Sequence, residues 1–208
     1  NRLIVGAFAS STGRLELAGG ILSTPIIDGR DPASTNAAGG YSEVLFDGGT
    51  LQHSVDSDPT WMPVNFVSVF AKATLTERGA VIDSNGGTLA IPQSLSNETG
   101  QAGSFTKKGA GKLSLLSGAN GFTGRVTVEQ GELAVSGNIY LSGGVVINTG
   151  ALLNLSSATV NAAQTDSGTV SRIDGTLWLK PGGILTNGLG ATLGGSGAVT
   201  GKVMFAAG

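Results

Sequence analysis

The chain has 208 residues, 40% of them hydrophobic and 12% charged, with 35 glycines, no cysteine and a formal charge of −2. The recurrent Val, Ile and Leu exclude a disordered chain, and the lack of cysteine excludes disulfides, thiolate catalysis and Cys-based metal sites. Neither half is basic enough for a nucleic-acid footprint, and no apolar run approaches the ~20 residues of a membrane-spanning helix. Ser, Thr, Asn and Gly fill the polar positions. That mixture disfavours helix interiors and favours short strands joined by tight turns.

The first 39 residues contain Gly19-Gly20-Ile21-Leu22, a weak copy of a phrase that recurs along the chain. It consists of a Gly-containing turn, one variable residue and an apolar residue that opens a short alternating strand. Residues 1–39 are expected to form N-terminal solenoid coils or a cap-like segment, and residues 40–208 the regular coils. Within the first part, Asp28 and Asp31 flank Gly29-Arg30 in a Gly/Pro-rich turn. A polysaccharide lyase or hydrolase needs a denser set of acids beside a base, so this pair is read as a turn. The chain opens at Asn1 and ends in Phe205-Ala206-Ala207-Gly208, and is expected to be a segment of a longer polypeptide.

Full copies of the phrase follow at Gly48-Gly49-Thr50-Leu51 and Gly86-Gly87-Thr88-Leu89. Between them lie His53, the sole histidine, and a loop holding Asp56, Asp58 and Trp61. One His and a spaced Asp pair make a weak metal or acid–base set, so His53 is placed at the inner or corner side of a strand and the acids in a solvated loop. Trp61 is a candidate ligand contact, because an exposed indole stacks on flat apolar surfaces and still offers an N–H. The interval from Gly49 to Gly87 is 38 residues and from Gly87 to Gly131 is 44. Each is read as two coils, with Gly111 supplying the intermediate turn of the second.

Later copies are Gln130-Gly131-Glu132-Leu133, Thr149-Gly150-Ala151-Leu152 and Asp174-Gly175-Thr176-Leu177. Gly131 to Gly150 spans 19 residues and Gly150 to Gly175 spans 25, lengths that suit one coil with variable corners. Strands within the coils have period 2: Leu113 and Leu115, Val126 and Val128, Leu133 and Val135, Leu177 and Leu179 each put two apolar residues on one face. Trp178, between Leu177 and Leu179 and beside Lys180, is therefore expected to face outward and is the second candidate ligand contact. Lys107, Lys108 and Lys112 form a basic cluster that is read as a solvated coil face, and Glu129 and Glu132 bracket a corner. In Gly194-Gly195-Ser196-Gly197, Val199 stands where a calcium-binding nonapeptide has its Asp, so no metal is expected. Periodicity permits either a solenoid or an antiparallel sandwich or barrel.

The segment from Phe105 to Leu133 narrows the choice. Lys107-Lys108-Gly109-Ala110-Gly111-Lys112-Leu113-Ser114-Leu115, Gly118-Ala119-Asn120-Gly121-Phe122-Thr123-Gly124 and Val126-Thr127-Val128-Glu129-Gln130-Gly131-Glu132-Leu133 resemble the autotransporter-associated β-strand repeat, also called the passenger-associated transport repeat. Phe122 stands at that family's usual Tyr. The resemblance implies an all-β, right-handed parallel β-helix (β-solenoid). It further implies a non-enzymatic stalk or display module of a secreted or outer-membrane-associated cell-surface passenger, exported by type V secretion and serving adhesion. Its implied partners are neighbouring coils or a C-terminal translocator β-barrel of the parent chain, and a host surface protein or glycan. Uncapped strand edges add an expectation of end-to-end self-association. The competing function is a glycan-binding or polysaccharide-degrading β-helix. No catalytic residue, cofactor or metal site is expected.

Overall fold

The structure, a computed structural model, describes residues 3–5, 12–29, 41–54, 64–68, 70–161, 170–179, 184–187 and 191–205. The described secondary structure is all β-strand, and every strand pairing among the described residues is parallel. An antiparallel sandwich is thereby ruled out. The chain winds as a β-solenoid, each circuit placing one strand on each of two long faces before returning along a third side.

The first face is an eight-stranded sheet running from Ile21–Thr24 to Thr192–Gly194, and the second a seven-stranded sheet running from Val64–Asn65 to Ala198–Thr200. The third side is less continuous. It begins as a four-stranded sheet ending at Ser96–Asn97, reaches Gly121 through one bridge, and resumes as the pairs Asn138–Tyr140 with Thr159–Asn161 and Ile184–Asn187 with Lys202–Phe205. Residues 12–28 already pair in parallel with residues 41–53 and 67–68, so the described part of the N-terminal segment is built from the same coils.

Stacking turns the period-2 pattern into ladders. On the second face Leu89, Leu113, Leu133, Leu153 and Leu177 are successive partners, and all five are fully buried. On the first face the inward column reads Leu51, Ile82, Lys107, Val128, Ile147 and Ile173. A single coil has no second layer against which to bury these side chains; the coils above and below close the core and satisfy the strand amides.

Registers also correct the repeat count. Gly49 opens the first-face strand Thr50–His53, whereas Gly87 opens the second-face strand Thr88–Ile91. The two phrases mark different corners, so their separation is not two coils. From Gly87 onward the phrase keeps to one corner, because Thr88, Lys112 and Glu132 are successive partners. Gly111 is the intermediate turn expected there. Backbone packs on backbone at this corner: a Cβ on Gly131 would stand 2.3 Å from the Gly111 carbonyl oxygen, and one on Gly175 2.3 Å from that of Ala151. No real Cβ sits that close, and Gly131 also has φ +70.

Candidate functional site: the repeat corner and the second-face trough

Phe105–Lys108 alternates inward and outward, and Phe105 and Lys107 are both fully buried. Lys107 was expected on a solvated face; it lies instead within the apolar column between Ile82 and Val128. What makes this tolerable is its ammonium, which donates to the carbonyls of Lys108 at 2.8 Å, Gly109 at 2.6 Å and Gln130 at 3.1 Å. Three donors meet three acceptors, the condition for keeping a charge out of water. Burial pulls the Lys107 pKa down to about 8, with the Asp83 charge acting in the opposite sense. Lys108 and Glu129 belong to the same corner and are paired at 3.7 Å on its outside.

The remainder of this segment is structural in the same way. Phe122 stacks on Phe105 with ring centroids 5.5 Å apart. Buried Asn120 accepts from the Leu95 amide through Oδ1 and donates through Nδ2 to the Ser117 carbonyl. Asn97 Oδ1 accepts from both Gly103 N and Thr123 N, tying one turn to the next. These side chains close a third side that lacks regular strands at this level.

Of the other candidates, His53 is buried and packs edge-on against Phe66 at 5.6 Å, which fits the inner position expected. Trp61, Asp56, Asp58, Asp31 and Lys180 lie outside the described residues. Glu132 is paired with Lys112 at 3.1 Å, and the carboxylates of Asp47 and Glu98 likewise meet Arg78 and Lys72 of neighbouring coils. Among the described residues no three His, Asp or Glu side chains gather as metal ligands. At Ser196, the amide and hydroxyl both donate to Asp174 Oδ1, so this glycine-rich turn is fastened to the preceding coil.

Trp178 faces outward with 46% of its surface exposed, as the alternation predicts. Its partner across the strand pair is Asn154, and the outward column continues downward through Ala134 and Ser114. Ser and Ala make the floor low, while Lys112 on one side and Leu116, Ser136 and Ser156 on the other rise around it, forming a trough of about 340 Å³. Its polar groups are held in place: Glu132 Oε1 accepts from Lys112 Nζ at 3.1 Å and from Asn154 Nδ2 at 3.0 Å, and Asn154 Oδ1 accepts from the Ser156 hydroxyl at 2.7 Å. Sequence reasoning found Trp178 but missed the trough, whose residues come from three successive coils.

Comparison with known proteins converges on the corner rather than the trough. Residues 105–135 match the family model of the passenger-associated-transport-repeat, a span that starts at the expected residue and runs on to Val135, the end of the strand Glu132–Val135. No curated protein and no solved structure matches the chain. The strands bracketing the buried Lys107 clamp thus match the passenger-associated transport repeat, and this match suggests the context of an autotransporter passenger.

Proposed function

We propose that the chain is a non-enzymatic coil segment of a secreted or cell-surface passenger. In this reading it is a rigid stalk that displays a distal region beyond the outer membrane, takes part in adhesion and supports its own export. The observation that carries this reading is the transport repeat at residues 105–135, with Lys107 bridging one coil to the next through Gln130. Each coil offers a template of strand edges and glycine corners to the next, so folding can advance from one end as the chain emerges from a membrane. The parent chain's neighbouring coils and a C-terminal translocator β-barrel are the partners this reading requires, and type V secretion the route. Carboxylates engaged by cations of adjacent coils support a structural rather than hydrolytic use.

The test is export of the parent chain with one whole coil step of the repeat, residues 105–125, deleted so that Val126 takes the place of its strand partner Phe105. Surface labelling and protease resistance of the passenger should both fall, with the chain retained inside or degraded. Undiminished surface display of a protease-resistant passenger would overturn the proposal.

A further inference from the structure

We propose that the second-face trough is a binding site for an extended, neutral oligosaccharide, with Trp178 as its stacking platform. This goes beyond the stalk reading and does not depend on the export route.

Trp178 offers a broad apolar ring face with 46% of its surface in water, and it is the strand partner of Asn154, which lines the trough. A pyranose has the complementary character, with apolar C–H faces and a rim of hydroxyls. Below the indole, Asn154 and the Ser114 hydroxyl are suited to a ligand rich in both donors and acceptors; among the described residues the Ser114 hydroxyl has no hydrogen-bond partner. Asn154 is already oriented by Glu132 and Ser156, so little ordering is needed on binding.

Charge selects a neutral ligand. Lys112 and Glu132 neutralise each other at 3.1 Å on the wall, leaving no net field to draw an acidic glycan or a phosphate backbone. Geometry selects an extended one. The floor from Ser114 through Ala134 and Asn154 to Trp178 follows the stacking axis, one coil at about 4.8 Å per step, and an extended glycan advances by a similar length per sugar. A peptide is a poorer fit. The trough lies on a sheet face whose strand amides are already paired, so strand addition is unavailable, and its floor of Ser and Ala lacks the apolar anchors a helix needs.

The test uses the full chain carrying Trp61→Phe, so that Trp178 is its only indole. Hexasaccharides of β-linked glucose, xylose and N-acetylglucosamine are titrated against it by fluorescence and calorimetry, with polygalacturonate as the acidic comparison. At least one neutral hexasaccharide should shift Trp178 emission saturably. Trp178→Ala should weaken calorimetric binding by about tenfold or more. Ala134→Arg, which raises the floor without touching the core, should do the same while far-UV circular dichroism stays unchanged. The proposal is overturned if no neutral hexasaccharide binds saturably, if both variants bind as the parent does, or if polygalacturonate binds more tightly.

Discussion

The Lys107 ammonium reaches the Gln130 carbonyl at 3.1 Å, joining one coil of the repeat to the corner of the next from inside the core. Its other two bonds, to Lys108 and Gly109, stay within its own corner. A cation that holds three backbone carbonyls gives the corner one geometry, whereas an apolar side chain would leave the Gly109 and Gln130 carbonyls without this donor.

Replacing this lysine should therefore be expensive even when its volume is kept. Lys107→Met removes the charge and preserves the packing, but takes the ammonium donor from the Gly109 and Gln130 carbonyls, while that of Lys108 keeps its bond from the Ser84 amide; the expected loss is about 2–4 kcal/mol. Lys107→Ala adds a cavity and should cost more still. Denaturant midpoints of the three proteins give the ordering. Equal midpoints for parent and Lys107→Met would show that the clamp contributes nothing to stability.

The same lysine sets an alkaline dependence with a defined sign. Its pKa is about 8 in the folded chain against 10.5 ordinarily, so between those values the unfolded chain holds one more proton than the folded one. Stability should rise with pH across that window, by about 2 kcal/mol between pH 7.5 and 9.5. Tyr41, whose pKa is raised by its hydrogen bond to Glu43, acts in the opposite direction above pH 10, which is why the measurement stops short of it. Lys107→Met should lack the rise, as urea titrations at successive pH values will show.

On the acid side the sign reverses. The Thr74 hydroxyl, the Thr99 amide and Lys72 hold the Glu98 carboxyl below its ordinary pKa of 4.5, and Arg172 with Ser196 lowers that of Asp174 from 3.8. Each lowered carboxylate stabilises the fold above its ordinary pKa, and the contribution disappears as pH falls through the folded value. Glu98→Gln should flatten part of the fall in melting temperature between pH 5 and 3. Unchanged steepness would remove Glu98 from the account.

Much of this was legible in the residues, for a physical reason: alternation is read locally. Leu113 and Leu115 point inward and Trp178 outward, because neighbouring side chains on a strand take opposite faces whatever the rest of the fold does. Lys107 obeyed the same rule, since it shares the parity of Phe105, but its charge argued for water and its carbonyl partners become visible only once the corner is folded. The trough was not legible. Ser114, Ala134 and Asn154 follow one another at steps of 20 residues and Trp178 after 24, but the glycine phrase runs 19 residues from Gly131 to Gly150 and 25 from Gly150 to Gly175, so the register that makes them neighbours shows only in the folded coils.

The leucine ladder predicts where the solenoid is least forgiving. Leu133 is buried between Leu113 and Leu153, each a strand partner, so truncation leaves a void bounded by both neighbouring coils. Leu133→Ala should cost about 2–5 kcal/mol. Leu116→Ala, at a side chain that is 45% exposed, should stay within about 0.5 kcal/mol of the parent. Similar losses from both would mean that the ladder is not the core of this region.

Two glycines of the repeat segment should respond in opposite ways to alanine. Gly131 has φ +70 and lies where a Cβ would stand 2.3 Å from the Gly111 carbonyl oxygen and 2.9 Å from that of Gly109, the carbonyl that also receives Lys107. Alanine there strains the left-handed backbone, pushes two coils apart and disturbs the clamp, so a loss of about 2 kcal/mol or more is expected. A Cβ on Gly118 meets nothing within 4 Å. Its alanine variant restricts the unfolded chain and should leave stability unchanged or raise it by up to about 1 kcal/mol. Thermal melts of the two variants against the parent measure the contrast; if Gly131→Ala melted with the parent, close corner stacking could not be what fixes glycine at that turn.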